Sequence, residues 1–317
     1  MSESPLPPAF GGPGWQPRET TSKQEIGSIW GSCGLNSEWR PLRQVLLHRP
    51  GRELEQVTDD PAPSLMLETL DPGYMAQQHD GLAEAYRMAG VEVSYVGPPS
   101  LPPPNQLFCA DLFAMTPEGA ILGRPASVVR AGEERWVARA LSDLGIPIIL
   151  SVRGAGTFEG ADLMWVGPNV AMLAEGFRTN EEGAGQVRAL LQDLGVQVLK
   201  AQLPPGTMHL MGQLRIVGED LAIVWRDRLP AESVAELRSF GYEIAYVPDE
   251  GEARQGFALN FVVLGPRRIL MPGGNPSSQA FYEELGIECF TVDVAEISKA
   301  AGSIGCLTGI LERDRAP

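Results

Sequence analysis

Cysteine and histidine are scarce in this 317-residue chain, with four of the first (Cys33, Cys109, Cys289, Cys306) and three of the second (His48, His79, His209). The cysteines lie far apart, with no Cys-x-x-Cys pair and no dense framework. That excludes a disulfide-stapled secreted scaffold and fits reduced thiols in a cytoplasm. The histidines have no metal-ligand spacing with one another or with the cysteines, so no metal and no other cofactor is expected. No basic-then-apolar signal segment and no apolar run near eighteen residues is found, so neither secretion nor a membrane span is expected. Positive charge is the minor sign, 25 Lys and Arg against 40 Asp and Glu, for a net charge of −15. This balance argues against nucleic acid or an anionic membrane as partner and is compatible with a cationic ligand.

What the chain does have, at 44% hydrophobic residues, is a repeat. Residues 1–34, rich in Pro, Gly and Ser, read as a flexible leader, and 35–317 as a single domain. Leu42 to His48 is a buried strand by composition. From there a helix-period segment ends at a glycine and passes at once into an apolar strand, five times over, at Gly90, Gly145, Gly195, Gly241 and Gly286. Glycine ends a helix in the left-handed conformation at little cost. Val187, Leu190, Leu191 and Leu194 form one apolar helix stripe, and Val137, Leu141 and Leu144 another. Upstream of the later helices lie pairs of short strands, such as Leu163–Val166 with Val170–Ala174. The unit is strand, strand, helix, strand. Such units cannot bury their apolar faces alone and are expected to close on one another, an open α/β sheet being the alternative. Closure would bring the loops before the strand pairs to the middle.

Those loops carry the polar residues. Unit two opens on Cys109-Ala110-Asp111, unit three on Phe158-Glu159-Gly160-Ala161-Asp162, and unit four on Met208-His209-Leu210. Cys306 follows unit five, where the tail could return to pair with unit one. Gly302, Gly305 and Gly309 surround it and could leave room for a planar substrate against a nucleophilic thiol. A small buried apolar side chain is the other reading of that cysteine.

In order along the chain, Leu47-His48-Arg49-Pro50-Gly51, Phe158-Glu159-Gly160-Ala161-Asp162, Arg178-Thr179-Asn180, Met208-His209-Leu210 and Gly302-Ser303-Ile304-Gly305-Cys306 resemble the guanidine-modifying (pentein) superfamily. That group comprises arginine deiminases, dimethylarginine dimethylaminohydrolases and amidinotransferases. The resemblance covers roughly residues 36 to 312 and implies a five-bladed pseudo-symmetric α/β propeller. It implies Cys306 as nucleophile on the guanidino carbon, His209 as general acid and then base, and Glu159 in the catalytic set. Asp111 and Glu159 would hydrogen-bond the guanidinium, with Asp162 among the substrate-binding groups. Arg178 would grip the substrate carboxylate. The same spacing from Asp111 as Arg178 has from Glu159 gives Arg130 as its counterpart, with Arg124 the nearest rival. Carboxylates match the guanidinium fork with paired, charge-assisted hydrogen bonds. A cation beside the thiol favours the reactive thiolate.

Two departures are visible. Met211 stands where deiminases and amidinotransferases of the group usually carry Asp, and Glu-Gly-Ala-Asp replaces Glu-Gly-Gly-Asp. The first tilts the expectation toward an N-substituted guanidine. The leading expectation is hydrolysis of arginine or an N-substituted (for example methylated) arginine to citrulline plus ammonia or an amine. Amidino transfer to an acceptor amine and a non-catalytic guanidine-binding protein are the alternatives. The expected partner is a small cationic guanidino substrate, and assembly into a homo-oligomer is left open.

Overall fold

Each of the five glycine stops is built as the same helix-ending device. In the computed structural model, which describes residues 6–57 and 59–317, Gly90, Gly145, Gly195, Gly241 and Gly286 have φ of 79°, 71°, 77°, 91° and 77°. They terminate α1 (Pro72–Met88), α2 (Glu133–Asp143), α3 (Glu181–Asp193), α4 (Ala231–Ser239) and α5 (Pro276–Glu284). The residue after each glycine donates its N–H back into the last helical turn: Val91 to Tyr86, Ile146 to Leu141, Val196 to Leu191, Tyr242 to Leu237 and Ile287 to Tyr282. This Schellman arrangement satisfies helix-end carbonyls that would otherwise lack partners. All five accepting residues are fully buried, so each carbonyl belongs to a residue whose side chain anchors its helix in the core.

The device turns the chain from each helix into a strand. β1 (Leu42–Leu47) is followed through α1 by the parallel β2 (Glu92–Tyr95). The next unit is β3 (Phe113–Thr116), β4 (Gly119–Leu122) and, after α2, β5 (Ile148–Ser151). Then come β6 (Leu163–Gly167), β7 (Val170–Glu175) and β8 (Gln197–Gln202). β9 (Leu214–Ile216), β10 (Leu221–Val224) and β11 (Glu243–Tyr246) form the fourth set. β12 (Val262–Gly265), β13 (Arg268–Pro272) and β14 (Glu288–Val292) form the fifth. Within each set the first two strands are antiparallel and the second and third parallel. The first unit has no leading strand of its own. β15 (Gly309–Arg313) returns to supply it, antiparallel to β1 with Ile310 opposite Val45.

The result is five three-stranded sheets among the described residues, the five-bladed pseudo-symmetric α/β propeller. Burial falls across each blade. β3, β4, β9, β10 and β12 are buried along their whole length, whereas β2, β5 and β14 have no fully buried residue. Leading strands covered on both faces place the blade entries inside the molecule. Before residue 35, Gly31 donates to the Gly145 carbonyl and Gly34 to the Leu311 carbonyl. No helix among the described residues is long and apolar enough to cross a membrane.

Gly195 tests the device in isolation, because a Cβ added there meets nothing within 4 Å. Gly195→Ala therefore carries the cost of the left-handed φ alone, about 1–2 kcal/mol. Urea unfolding should show that loss without a change in slope.

Candidate active site

The leading strands of blades two to four, and β15 of blade one, are each entered from a single helical turn. These are Cys109–Leu112, Gly160–Asp162, Leu210–Gly212 and Ile304–Leu307. The turn of blade two packs on those of blades one and three, and the turn of blade three on that of blade four. Blade five joins through Asn260, whose carbonyl accepts from the Gly305 N–H, and through Leu259, whose carbonyl accepts from Arg215 Nε at 2.8 Å. Five blade entries thus meet at one hub.

Cys306 is buried there and held by one side chain. Asn260 Nδ2 donates to its Sγ at 3.0 Å, and Cys306 N donates to Asn260 Oδ1 at 3.1 Å. His209 Nε2 lies 2.7 Å from Glu159 Oε2, and its Nδ1 lies 3.8 Å from Asp111 Oδ1. Two arginines repeat one pairing in successive blades. Arg130 Nη1 donates to Asp111 at 2.6 Å, and Arg178 Nη1 to Glu159 Oε2 at 3.2 Å, each across 19 residues. Arg124 instead is exposed and donates to the Gly156 carbonyl. The structure therefore brings Arg130, not Arg124, to the hub.

Cys306 lies where two cavities meet, both of which Met208 and Ala301 also line. One, about 20 Å³, is bounded by Asp111, Arg130, Arg178, Asn105 and Phe108. The other, about 120 Å³, is bounded by His209, Met211, Gln213, Trp225, Phe257 and Asn260. On the first side, Asp111 Oδ1 is buried and accepts no hydrogen bond among the described residues. It is an acceptor available to an incoming N–H group.

Charge at the hub is heavily perturbed. Burial opposes the charged form of His209, but Asp111, Asp162 and Glu159 together outweigh it and push its pKa up to about 9. Burial likewise acts to raise the Glu159 carboxyl. The hydrogen bond from His209 and the charges of Arg130 and Arg178 reverse this and hold it well below the usual range. Burial and Asp111 raise the Cys306 thiol, partly offset by Asn260 and Arg215. At neutral pH these surroundings favour the protonated histidine and the protonated thiol. Ligand atoms of Asp111, Glu159 and His209 lie within 4.8 Å of one another, a spacing that could hold a metal ion. Arg130 and Arg178 already neutralise those carboxylates, and a divalent ion would face two guanidinium groups.

Asp162 departs from its expected place. It is fully buried, with Oδ2 accepting from Thr179 Oγ1 at 2.6 Å and Oδ1 from Leu210 N at 3.0 Å. Both oxygens are committed to bracing the segment that follows His209, and neither cavity reaches it. The glycines beside Cys306 also differ from expectation. A Cβ on Gly302 would lie 2.3 Å from Phe108, and one on Gly305 2.2 Å from Arg215 Nη2. The space they leave is filled by protein side chains, not kept for substrate.

Three contributors escaped the sequence reading. Asn260 occupies the blade-five entry, the position equivalent to Asp111 and His209, and the symmetry of the repeat could have found it. Glu133, at the start of α2, grips Arg130 through Nε at 2.9 Å and Nη2 at 2.8 Å; burial raises its own pKa to about 7. Arg215 sits on β9, where burial lowers its pKa to about 10, and its Nη2 has no partner among the described residues.

Over residues 73–312 the chain matches the family model described as N,N dimethylarginine dimethylhydrolase, eukaryotic. The chain belongs to this family. As a member of the dimethylarginine dimethylhydrolase family it is an amidinohydrolase, cleaving a C–N bond. It is similar to the N(G),N(G)-dimethylarginine dimethylaminohydrolase of Streptomyces coelicolor, 27% identical over 84% of this chain and 96% of that one. It is 25% identical to the protein of that name from Pseudomonas aeruginosa, over 84% and 98% of the two chains. A solved structure of the Pseudomonas protein, a cysteine-to-serine mutant complexed with citrulline, shares the fold with a TM-score of 0.71 at 24% identity, covering 84% of this chain and 98% of that one. An amidinotransferase from Microseira wollei shares it with a TM-score of 0.72 at 15% identity, covering 89% and 97%.

Two measurements test the electrostatics of this family member. Arg130→Ala leaves Asp111 and Glu133 buried without their cation and should cost about 3–5 kcal/mol of stability, read by urea denaturation. His209 has a folded pKa above its unfolded value near 6.5. Its stabilising share is therefore complete below about pH 6.5 and lost as pH rises through about 9. Between pH 6 and 10 the Tm of the parent should fall more than that of His209→Asn. Parallel curves would show that His209 is not protonated in the fold.

Proposed function

We propose that this enzyme hydrolyses the guanidino carbon of an N-substituted arginine, such as a methylated arginine, releasing the amine and citrulline. The observation that carries the reading is the placement of Cys306 between a carboxylate-and-arginine cavity and the proton-bearing His209. In this reading residues 35–317 are the catalytic domain and 1–34 a leader outside it.

The substrate guanidinium docks on Asp111 and Glu159, whose charge-assisted hydrogen bonds hold its plane against Cys306. Its α-carboxylate pairs with Arg178, helped by Arg130. The arriving cation lowers the thiol pKa, and the thiol releases its proton to solvent as the substrate binds, leaving the thiolate, while His209 keeps its own proton. Sγ adds to the guanidino carbon, and the C–N bond to the substituted nitrogen breaks. His209 supplies the proton that the leaving amine takes. This leaves a thiouronium on Cys306 and a neutral imidazole. Water then adds to the same carbon, giving one proton to His209, and as the C–S bond breaks the remaining hydroxyl proton passes to the departing sulfur, returning the thiol and free citrulline. Splitting one difficult displacement into two steps is what the nucleophile contributes. Asn260 fixes both the main chain and the sulfur of Cys306, so the thiolate keeps its aim.

Incubation with arginine and methylated arginines should yield a ureido product from the methylated substrates without any added amine. Ornithine formed only when an acceptor amine is present would mean amidino transfer instead. Cys306→Ser should abolish turnover, and mass spectrometry of a quenched parent reaction should place the adduct on Cys306. An adduct on Cys109 or Cys289 with Cys306 unmodified would end the nucleophile assignment.

The carboxylate clamp has its own test. Losing a charge-assisted hydrogen bond costs roughly 1.5–3 kcal/mol, about one to two decades in kcat/KM. Arg178→Ala should show that loss on arginine-type substrates and leave residual activity on decarboxylated analogues nearly untouched, while Arg124→Ala changes neither. Equal losses on both substrate types would remove Arg178 from the clamp.

A further inference from the structure

The two cavities that meet at Cys306 are unlike in size and chemistry. The carboxylate side, at about 20 Å³, has little more room than one water needs, since Arg130 and Arg178 are folded onto their carboxylates. The side that His209 borders is about 120 Å³. Measured the same way, one water needs about 10–15 Å³, so this space far exceeds what the hydrolytic water requires.

Its walls are Met208, Met211, Trp225, Phe257 and Leu259. Arg254 also lines it, and its guanidinium and that of Arg228 lie 5.7 and 5.4 Å from the Trp225 ring centroid. Two side chains of the lining carry a buried polar atom without a partner among the described residues: Gln213, only 6% exposed, at Oε1, and Trp225 at Nε1. Buried polar atoms without partners are uncommon and call for a ligand that satisfies them. Phe257 and Ala301, both lining this cavity, hold φ of 53° and 66°, strain of the kind that clusters at ligand sites.

We propose that this cavity is a substituent subsite. The preferred substrates are then arginines whose guanidine carries an apolar arm larger than methyl, up to benzyl in size, bearing a hydroxyl or amide. The inference rests on the hydrolytic reading above. The departing nitrogen must face the acid that protonates it, and His209 borders this cavity alone. Whatever that nitrogen carries therefore enters the Met211 and Trp225 side. A thioether and an indole offer the arm an adaptable apolar bed. Gln213 Oε1 and Trp225 Nε1 become an acceptor and a donor for its polar group when those two side chains turn toward the cavity.

Gly212 provides the means to fill the space, because it lines the cavity and a Cβ added there meets nothing within 4 Å. The ligands are Nω-(4-hydroxybenzyl)-L-arginine and Nω-methyl-L-arginine, titrated by calorimetry into Cys306→Ser and into Cys306→Ser/Gly212→Leu. An apolar pocket typically discriminates by about 10–200-fold. The hydroxybenzyl ligand should bind Cys306→Ser at least about tenfold more tightly than the methyl ligand, and Gly212→Leu should bring the two within about threefold. Equal binding in Cys306→Ser, or a preference that survives Gly212→Leu, overturns the subsite. Transfer from arginine to added 4-hydroxybenzylamine that outpaces hydrolysis overturns it too, by making the cavity an acceptor site. The two readings fail separately. Hydrolysis of methylated arginines without hydroxybenzyl preference removes the subsite alone. A binding preference in a parent enzyme that turns over no guanidine removes the hydrolytic reading and leaves the subsite standing.

Discussion

The structure depends on a desolvated ion network at the hub. Asp111, Glu133 and Glu159 face Arg130, Arg178 and His209, and every one of the six is buried. Any of them alone would cost several kcal/mol to bury as an ion. They are tolerable only as a set, and the set is drawn from blades two, three and four. Arg130 pairs with Asp111 and Glu133 inside blade two and Arg178 with Glu159 inside blade three, while Arg130 and His209 tie Glu159 to blades two and four, so the set is complete only when the blades are in register. Assembly of the fold and assembly of the hub are in this sense one physical requirement. The same compactness sets the proton inventory. The carboxylates of the hub keep His209 charged, while burial and Asp111 push the Cys306 thiol up.

Much of this was legible because the repeat is written in glycine. A helix stop requiring positive φ admits few other residues, so the five Schellman motifs are visible in the amino-acid sequence as glycines at near-regular intervals. Carboxylate, carboxylate and histidine at successive blade entries were legible for a related reason, since such side chains are seldom fully buried without a partner; Cys306, a type common in cores, was legible only through the motif around it. Asn260 escaped because an amide has no chemical signature of its own. Only its position, just before β12, marks it as the fifth member.

Arg215 was hidden differently. In Leu214-Arg215-Ile216 it reads as the outward residue of an alternating strand, yet β9 is covered on both faces and the guanidinium is buried. Alternation identifies a half-buried strand and misleads at the wall of a central channel. Asp162 shows the converse error. It has the residue type and position of a ligand-binding group but commits both oxygens to Thr179 and Leu210. The glycines around Cys306 were rightly read as a need for space, though Phe108 and Arg215 fill it.

Cys306 reaches the hub through a long-range pairing of the tail. Arg43 on β1 pairs with Asp314, 271 residues on, as β15 completes the first blade. Closing so long a loop costs only about 0.6 kcal/mol more per doubling of length, and burial of Leu311 with the β1–β15 ladder readily offsets that. Cys306 lies just ahead of this strand, so pairing of the tail delivers the thiol to Asn260 and to the cavities already formed by the other blades. The hub is thereby divided: charge is matched within blades two to four, and Cys306 is added by the segment whose strand completes blade one.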